Sequence, residues 1–122
     1  MKRDIDLIRA LLTALEEKDN DDMVSTISVD GFTELEVKYH LVLMDQAGLI
    51  RCERIVSSST SDRIIDVLPF GLSWKGHEFL ESARNEEIWN KAKSVSKARL
   101  GSISFEILST LLIELSKKAV GL

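Results

Sequence analysis

The side chains best suited to chemistry in this sequence are its two histidines, its one cysteine and the carboxylates near them. The stretch HEFLE at residues 77–81 differs from the zinc motif H-E-x-x-H at its last position, where glutamate stands in place of the second histidine. The two-histidine zinc site is therefore absent. A mixed site would combine four residues that can each bind a metal, namely His40, Cys52, His77 and Glu81. We expect instead that both histidines make structural hydrogen bonds beneath a β-hairpin.

No other pattern in the sequence is typical of an active site. The chain has no glycine-rich loop for phosphate, no cysteine–histidine pair with a supporting motif, and no serine at a strained elbow. Its carboxylates are numerous, but charged side chains on helices are usually solvated. We therefore expect no enzymatic activity, no cofactor, no metal and no small-molecule substrate.

The composition is that of one globular domain. A chain of 122 residues with 44% hydrophobic and 30% charged side chains can build one hydrophobic core. Its single cysteine excludes an internal disulfide. Asp4, Asp6 and Arg9 interrupt the apolar residues near the N-terminus, which is not typical of a signal peptide, and no stretch has the length of a membrane span. We expect a cytoplasmic protein with no membrane partner.

Hydrophobic periodicity and capping residues predict the first elements of the fold. Apolar residues at helical spacing predict a helix over residues 4–18. Valine and isoleucine among serine and threonine favour a short strand over residues 23–29, and a helix there stays open as the alternative. Thr33 and Glu36 have the spacing of a capping box, which predicts the start of a second helix, and Gly48 predicts its end.

A β-hairpin is predicted after this helix. Residues 50–56 and 63–69 are rich in β-forming side chains and flank the polar sequence SSSTSD. Pro69 has no amide hydrogen and therefore marks the end or the edge of its strand. The polar sequence between the two strands is the predicted tip of the hairpin.

The remainder of the chain is predicted to be helical. Ser73, Asn85 and Ser104 are candidate N-caps of three helices, and Gly101 separates the last two. The last helix carries a wide apolar stripe. The large aromatic residues of this region are expected in the core, and they are Trp74, Phe79 and Trp89.

The predicted order is helix, short strand, helix, hairpin and C-terminal helices, which is that of a winged-helix domain in the α+β class. The pattern V-x-x-H-L-x-x-M-x-x-A-G-L-I at residues 37–50 resembles the third helix and following strand of winged-helix repressors of the arsenic-resistance and multiple-antibiotic-resistance types. The chain as a whole resembles more closely a family of bacterial and phage proteins, domain-of-unknown-function family 2513. Three stretches carry this resemblance: MKRDIDLIRALL, YHLVLMDQAGLI and LSWKGHEFLESARNEEIWNKAK.

The resemblance implies a winged-helix-like fold and a phage or mobile-element setting, and it brings no catalytic residue with it. We predict a winged-helix-like domain over residues 1–84. A C-terminal helical extension over residues 85–122 is predicted to pack on this domain or on a partner chain. DNA-reading members of the fold have two helices between the first helix and the glycine corner, whereas a strand is predicted here in place of the first of them.

The helix that begins after Thr33 has apolar residues on two opposite faces of a helical wheel. The predicted core face consists of Val37, His40, Leu41, Met44 and Ala47. The opposite face, which a DNA reader would present to a groove, consists of Leu35, Tyr39, Val42 and Gln46, with Leu43 beside them. Base edges are read through hydrogen-bond donors and acceptors, which this face mostly lacks. Three roles for this face remain open, and we favour them in this order: packing within the chain, a protein interface, and DNA reading.

Charge is unevenly distributed along the chain. Residues 1–50 carry five basic and eleven acidic side chains, whereas residues 71–122 carry eight basic and six acidic. A duplex-binding surface needs clustered cations, so the net negative charge around the candidate reading helix has the wrong sign for DNA binding. The candidate nucleic-acid contacts are Lys38, Arg51, Arg54, Arg63, Lys91, Lys93, Lys97 and Arg99.

A surplus of apolar helix faces favours a function through protein contact. One core of this size must cover two faces of the second helix and the stripe of the last helix, and symmetric pairing is the commonest way to bury such an excess. The predicted interface consists of Leu35, Tyr39, Val42, Leu43, Leu111, Leu112 and Leu115. We therefore expect a non-catalytic regulatory module that forms a homodimer, and the alternative is a sequence-specific repressor of double-stranded DNA.

Overall fold

The computed structural model describes residues 1–60, 62–100 and 104–122, apart from the side chains of residues 99 and 100. The predicted α+β class, with a hairpin between helices, is confirmed. The predicted break at Gly101 and part of the hairpin tip, at Ser61, lie outside the described residues. The elements are α1 (Ile5–Glu16), α2 (Glu34–Gln46), β1 (Ile50–Val56), β2 (Ile64–Leu72), α3 (Trp74–Ala83), α4 (Glu86–Leu100) and α5 (Phe105–Ala119).

The chain divides into two compact units, Met1–His77 and Glu78–Leu122. The first contains α1, α2, the hairpin and the start of α3. The second contains the rest of α3 together with α4 and α5. The division into domains over residues 1–84 and 85–122 stays a prediction, because a compact unit is not by itself a domain.

Helix α1 is the most deeply buried element of the first unit. The Asp4 carboxylate accepts hydrogen bonds from the amides of Asp6 and Leu7, at 2.9 and 3.2 Å, and thereby caps the helix. Apolar residues on more than one side of the helix are buried, which fits its contacts with both α2 and β2. They are Ile5, Leu7, Ile8, Leu11, Leu12 and Leu15.

The predicted strand over residues 23–29 is wrong, because this segment is irregular. The Val24 amide donates to the carbonyl oxygen of Pro69 at 2.8 Å, which places the segment beside β2, but no ladder of bonds follows. Its serine and threonine hydroxyls can bond locally and compete with a ladder. Ile27 and Val29 are half-buried, so side-chain packing rather than strand pairing holds the segment in place.

Both ends of α2 are formed as predicted. The Thr33 hydroxyl accepts from the Glu36 amide at 3.1 Å, and the Glu36 carboxylate accepts from the Thr33 amide at 2.9 Å. At the other end Gly48 adopts a φ of +74°. Its amide donates to the backbone carbonyl oxygen of Asp45 at 3.0 Å, and the Leu49 amide donates to that of Met44 at 2.9 Å. These are the two bonds of a Schellman motif, which require a residue with positive φ.

The hairpin pairs β1 with β2 in antiparallel register, from Ile50 opposite Leu72 to Val56 opposite Ile64. Strand β2 continues to Leu72, beyond the predicted bound at residue 69, so of the two predicted roles Pro69 has that of a residue in an edge strand and not that of a strand end. Pro69 is opposite Cys52 next to a register shift, and a bulge tolerates a residue without an amide hydrogen.

The second unit has an aromatic core. Phe79 stacks on Phe105 at a ring-centroid distance of 4.7 Å and meets Trp89 edge-on at 6.2 Å. Phe79 and Trp89 are buried as predicted. The prediction for Trp74 is wrong, because this residue in the first turn of α3 is 80% exposed.

The predicted helix caps differ in their bonds. The Ser73 hydroxyl accepts from the Gly76 amide, and the Asn85 side chain accepts from the Ile88 amide, both at 3.0 Å. Ser104 occupies the cap position of α5 but makes no side-chain capping bond. Two of the three predicted caps therefore supply the expected acceptor.

Candidate interaction surface on α2

One side of α2 is part of the core of the first unit. This inner face consists of Val37, His40, Leu41 and Met44, all of them buried as the helical wheel predicts, whereas Ala47, the fifth residue predicted there, is half-buried. It belongs to a helix that contacts α1 and both strands of the hairpin. Burial of these side chains therefore fixes the orientation of α2 about its own axis.

His40 connects the inner face to the start of α1. Its Nε2 atom accepts from the Asp4 amide at 2.8 Å, and its Nδ1 atom lies 2.7 Å from the carbonyl oxygen of Glu36. A backbone amide can only donate and a carbonyl can only accept, so the ring carries its hydrogen on Nδ1. The ring is 1% exposed. His40 thus has the structural role predicted for it, and both of its nitrogen atoms are used.

The last turn of α2 carries a buried carboxylate. Asp45 accepts two hydrogen bonds from the Arg54 guanidinium, each of 2.7 Å, in a bidentate pair. This bonding holds the pKa of Asp45 below its ordinary value of 3.8. Burial, together with a hydrogen bond to Asp45, raises the pKa of the Cys52 thiol to about 11. Cys52 therefore stays protonated at neutral pH and is a poor nucleophile.

The opposite side of α2 is apolar and partly open to solvent. Its apolar residues, called the outer face below, are Leu35, Tyr39, Val42 and Leu43, of which Leu35 is 64% exposed and the others are half-buried. Gln46, the polar residue predicted on the same side, is exposed. Leu35, Tyr39 and Val42 are spaced by four and then three residues. That spacing aligns side chains along one line of a helix and is typical of a surface that packs against another helix.

The positive charge nearest the outer face is neutralised. The Lys38 ammonium group lies 3.7 Å from a Glu34 carboxylate oxygen and 4.0 Å from one of Asp66. Two carboxylates therefore lie beside the one cation, Lys38. Two carboxylates beside one lysine leave a net negative charge, which disfavours contact with phosphate.

The cations of the hairpin differ in their availability. Arg54 is paired with Asp45, and Arg51 lies over the Phe70 ring at 4.9 Å from its centroid. Arg63 is exposed. Contact of Arg51, Arg54 or Arg63 with nucleic acid stays a prediction.

The basic residues of α4 face different surroundings. Lys91 and Lys97 are exposed, whereas the Lys93 ammonium group lies 5.5 Å from the centroid of the Trp89 ring. The side chain of Arg99 lies outside the described residues. Nucleic-acid binding by this helix also stays a prediction.

The apolar stripe of α5 lies largely inside the second unit. Leu108 and Leu112 are fully buried, and Leu111 and Leu115 are half-buried. Leu112 therefore has no surface to offer to a partner, although the sequence places it in the predicted interface. The difference arises because one helical stripe can be covered either by its own chain or by another, and the hydrophobic pattern is the same in both cases.

Sequence reasoning missed a small pocket beside the first turns of α2. The pocket has a volume of about 120 Å³ and lies between the irregular segment at residues 26–32 and the helix. Ile27, Val29, Phe32 and Val37 supply its apolar lining, and Asp30 and Glu34 supply two exposed carboxylates. The prediction of a strand over residues 23–29 gave no reason to expect a concave surface there.

The described residues contain no arrangement typical of a metal site or a membrane span. No group of three or more histidine, cysteine, aspartate or glutamate side chains in this part of the chain could hold a metal ion. His77 is exposed, so the predicted place beneath the hairpin is wrong for this histidine. Across the same residues, no helix combines the length and the apolar character needed to cross a bilayer.

Comparison with known proteins places the chain in a family. The model of the family described as "Hypothetical protein (DUF2513)" matches residues 2–102. A protein of Haemophilus influenzae (strain Rd) described as "Uncharacterized protein" is 35% identical over 111 residues, which cover 88% of this chain and 89% of that protein. No solved structure gives a significant match. The chain belongs to the DUF2513 family, as its three matching stretches of sequence suggest.

Proposed function

We propose that this protein is a non-catalytic regulatory module that acts through protein contact in the cytoplasm, in a bacterial, phage or mobile-element setting. Its outer face on α2 pairs with a second copy of the chain. The observation that carries the proposal is the partial exposure of Leu35, Tyr39, Val42 and Leu43 on a helix whose inner face is already buried. Apolar side chains on a fixed helix are the anchors that protein interfaces use.

The chemistry of the outer face favours protein over DNA. Groove-reading helices present arginine, lysine, asparagine or glutamine to base edges, whereas the face predicted opposite the core has one such residue, Gln46, among leucine, tyrosine and valine. Lys38, which lies beside it, is shared between Glu34 and Asp66. A second copy is the favoured partner because most soluble oligomers are symmetric and place the same surface on both sides of the interface.

The double substitution Tyr39→Asp with Val42→Asp tests this proposal. Charge on an apolar interface is costly only in the bound state, so the variant should keep its melting transition and sediment as a monomer. Wild-type protein should sediment as a dimer at micromolar concentration. The matched control is Ser58→Asp with Thr60→Asp, which adds the same charge in an exposed loop away from α2 and should leave the dimer intact.

Two results would contradict the proposal. One is a wild-type protein that is monomeric by light scattering. The other is a Tyr39→Asp, Val42→Asp variant that unfolds, which would mean that the outer face is needed within a single chain.

A second candidate function is that of a repressor of double-stranded DNA. The exposed Arg63 on the hairpin and the exposed Lys91 and Lys97 on α4 favour it, since they could contact phosphate. Duplex binding measured across a salt series separates the two functions, because even non-specific binders lose affinity steeply as salt rises. Absence of binding at about 50 mM salt would remove this candidate.

A further inference from the structure

The outer edge of β2 is closed to further strands. The Pro69 carbonyl oxygen accepts from the Val24 amide at 2.8 Å, and Pro69 has no amide hydrogen of its own to offer. Two residues before Pro69, and therefore on the same edge, the Val67 amide donates to the Asp66 carboxylate at 2.8 Å. Irregular chain, a proline and a charged side chain thus occupy this edge, and proteins use such features to keep an edge strand from pairing with another chain.

The outer edge of β1 lacks this closure. In the part of the chain that the structure describes, the sheet has two strands, so no third strand pairs with β1. The Leu49 carbonyl oxygen accepts from the Ser73 amide, which directs the backbone groups of residues 49, 51 and 53 toward β2. The backbone groups of Cys52 and Arg54 consequently point away from β2. An edge of this kind is a template to which an extended strand can add.

The charges of β1 are self-complementary in one antiparallel register. Arg51 and Glu53 are both exposed and, being two residues apart, lie on the same face of the strand. A twofold axis at Arg51, Glu53 or Arg54 would place two like charges directly opposite each other, which is destabilising. An axis at Cys52 instead places each Arg51 opposite Glu53 of the other copy. Among the described residues Glu53 pairs with no cation, so its carboxylate is available for this contact.

We propose that β1 pairs with β1 of a second copy, antiparallel about a twofold axis at Cys52, so that the two hairpins form one continuous sheet. The inference rests on the proposed function, since it names the backbone contact through which the two copies associate. The outward groups of Cys52 meet those of Cys52 in the other copy, and those of Arg54 meet Ile50. The outer strands of the joined sheet are then the two copies of β2, whose edges are already closed.

The same axis brings the two copies of α2 together. This helix contacts both strands of the hairpin, and the Asp45–Arg54 pair joins its last turn to β1. An axis perpendicular to the sheet keeps both helices on one face of it. Helices centred over the two hairpins would be about two strand spacings apart, or about 10 Å, which is the distance between packed helices. The inner face of α2 holds α1 through His40, so the outer face is the side left for the second helix.

Charge reversal along β1 tests the register. Arg51→Glu and Glu53→Arg each place like charges opposite each other twice, so each should raise the dissociation constant of the dimer by at least about tenfold. The swapped variant, Arg51→Glu with Glu53→Arg, restores both unlike pairs, and so does an equimolar mixture of the two single variants. Both should associate within about threefold of the wild-type constant. Sedimentation equilibrium measures each constant.

Amide hydrogen exchange, followed by NMR, tests the backbone contact directly. The amides of Cys52 and Arg54 should exchange more slowly when the wild-type protein is concentrated from monomer to dimer, because the pairing gives them acceptors. The Val67 amide, which Asp66 already holds, should be unchanged.

Controls exclude general effects of charge and of misfolding. Glu17→Arg makes the same change as Glu53→Arg at an exposed position at the end of α1, and it should leave the dissociation constant unchanged. Circular dichroism melting should show every variant to be folded.

The outcomes separate this contact from the outer face of α2. Rescue by the swapped variant and by the mixture, with slower exchange at Cys52 and Arg54, supports the pairing of β1. Single variants that dimerise like wild type, a loss that neither swapping nor mixing restores, or a wild-type dimer with unchanged exchange at both amides would each overturn it. In these cases a dimer that Tyr39→Asp with Val42→Asp still abolishes would leave the proposed function standing, whereas a monomeric wild type would remove both.

Discussion

The two faces of α2 have similar hydrophobic residues and different surroundings. The inner face is buried and contains His40, whose two ring nitrogen atoms are both hydrogen-bonded. The outer face has Leu35 largely exposed and Tyr39 and Val42 half-buried. The difference indicates that the inner face stabilises the fold, whereas the outer face is the surface proposed to pair with a second copy. Substitutions on the two sides should therefore change different measurements.

The largest effect on stability is expected for Met44→Ala on the inner face. Met44 is fully buried, so truncation removes its transfer free energy and leaves a cavity. The free energy of unfolding should fall by about 2–5 kcal/mol, measured by urea denaturation. A loss below about 1 kcal/mol would be the size expected of a surface position and would contradict the assignment.

A smaller loss is expected for His40→Phe, which keeps an aromatic ring but leaves the Asp4 amide without its acceptor. The free energy of unfolding should fall by about 1–3 kcal/mol, the cost of an unsatisfied buried group. Tyr39→Phe is the matched control on the outer face and should be close to neutral. Equal effects of the two substitutions would show that the His40 hydrogen bonds do not stabilise the fold.

The Asp45–Arg54 pair should make stability depend on pH. The pKa of Asp45 is held below 3.8 in the folded protein, so its ionised form stabilises the fold. That contribution is complete above the unfolded pKa and is lost as the pH falls through the lower, folded value. Between neutral pH and pH 3, the melting temperature of Asp45→Asn should therefore fall less than that of the wild type. The effect is expected to be modest because the Arg54 side chain is half exposed and solvent screens the pair. A wild-type melting temperature that falls no more steeply than that of the variant would argue against the pair.

The smallest effect is expected for Leu35→Ala on the outer face. At 64% exposure this side chain buries little area in one chain, so the free energy of unfolding should change by no more than about 0.5 kcal/mol. Self-association, measured by sedimentation, should nevertheless weaken. A variant that is unstable yet still dimeric would reverse the comparison between the two faces.

Local rules predicted most of the first unit. The capping box at Thr33 and Glu36 and the positive φ at Gly48 depend on a few neighbouring residues, and the sequence shows all of them. The hairpin likewise follows from two β-rich stretches and a polar tip. These features required no knowledge of what packs against them.

Features that depend on distant residues were harder to predict. Residues 23–29 have the composition of a strand but lie beside β2 with one backbone bond at Val24. Trp74 has the character of a core residue and is exposed, whereas Leu112 was expected at an interface and is buried. In each case the outcome depends on which surface covers the side chain, which residue type does not specify. The pocket with Asp30 and Glu34 escaped prediction for the same reason.

The corner after α2 has a consequence for the proposed pairing of two copies. The Ser73 hydroxyl donates to the carbonyl oxygen of Gly48, and the Lys75 ammonium group donates to that of Ala47. A Cβ atom on Gly76 would collide with the carbonyl oxygen of Leu49, so the start of α3 lies directly against this corner. With its other end closed by the capping box, α2 is preorganised before any partner arrives. The proposed pairing would therefore cost little conformational entropy in the helix, since a preorganised surface has less freedom to lose on binding.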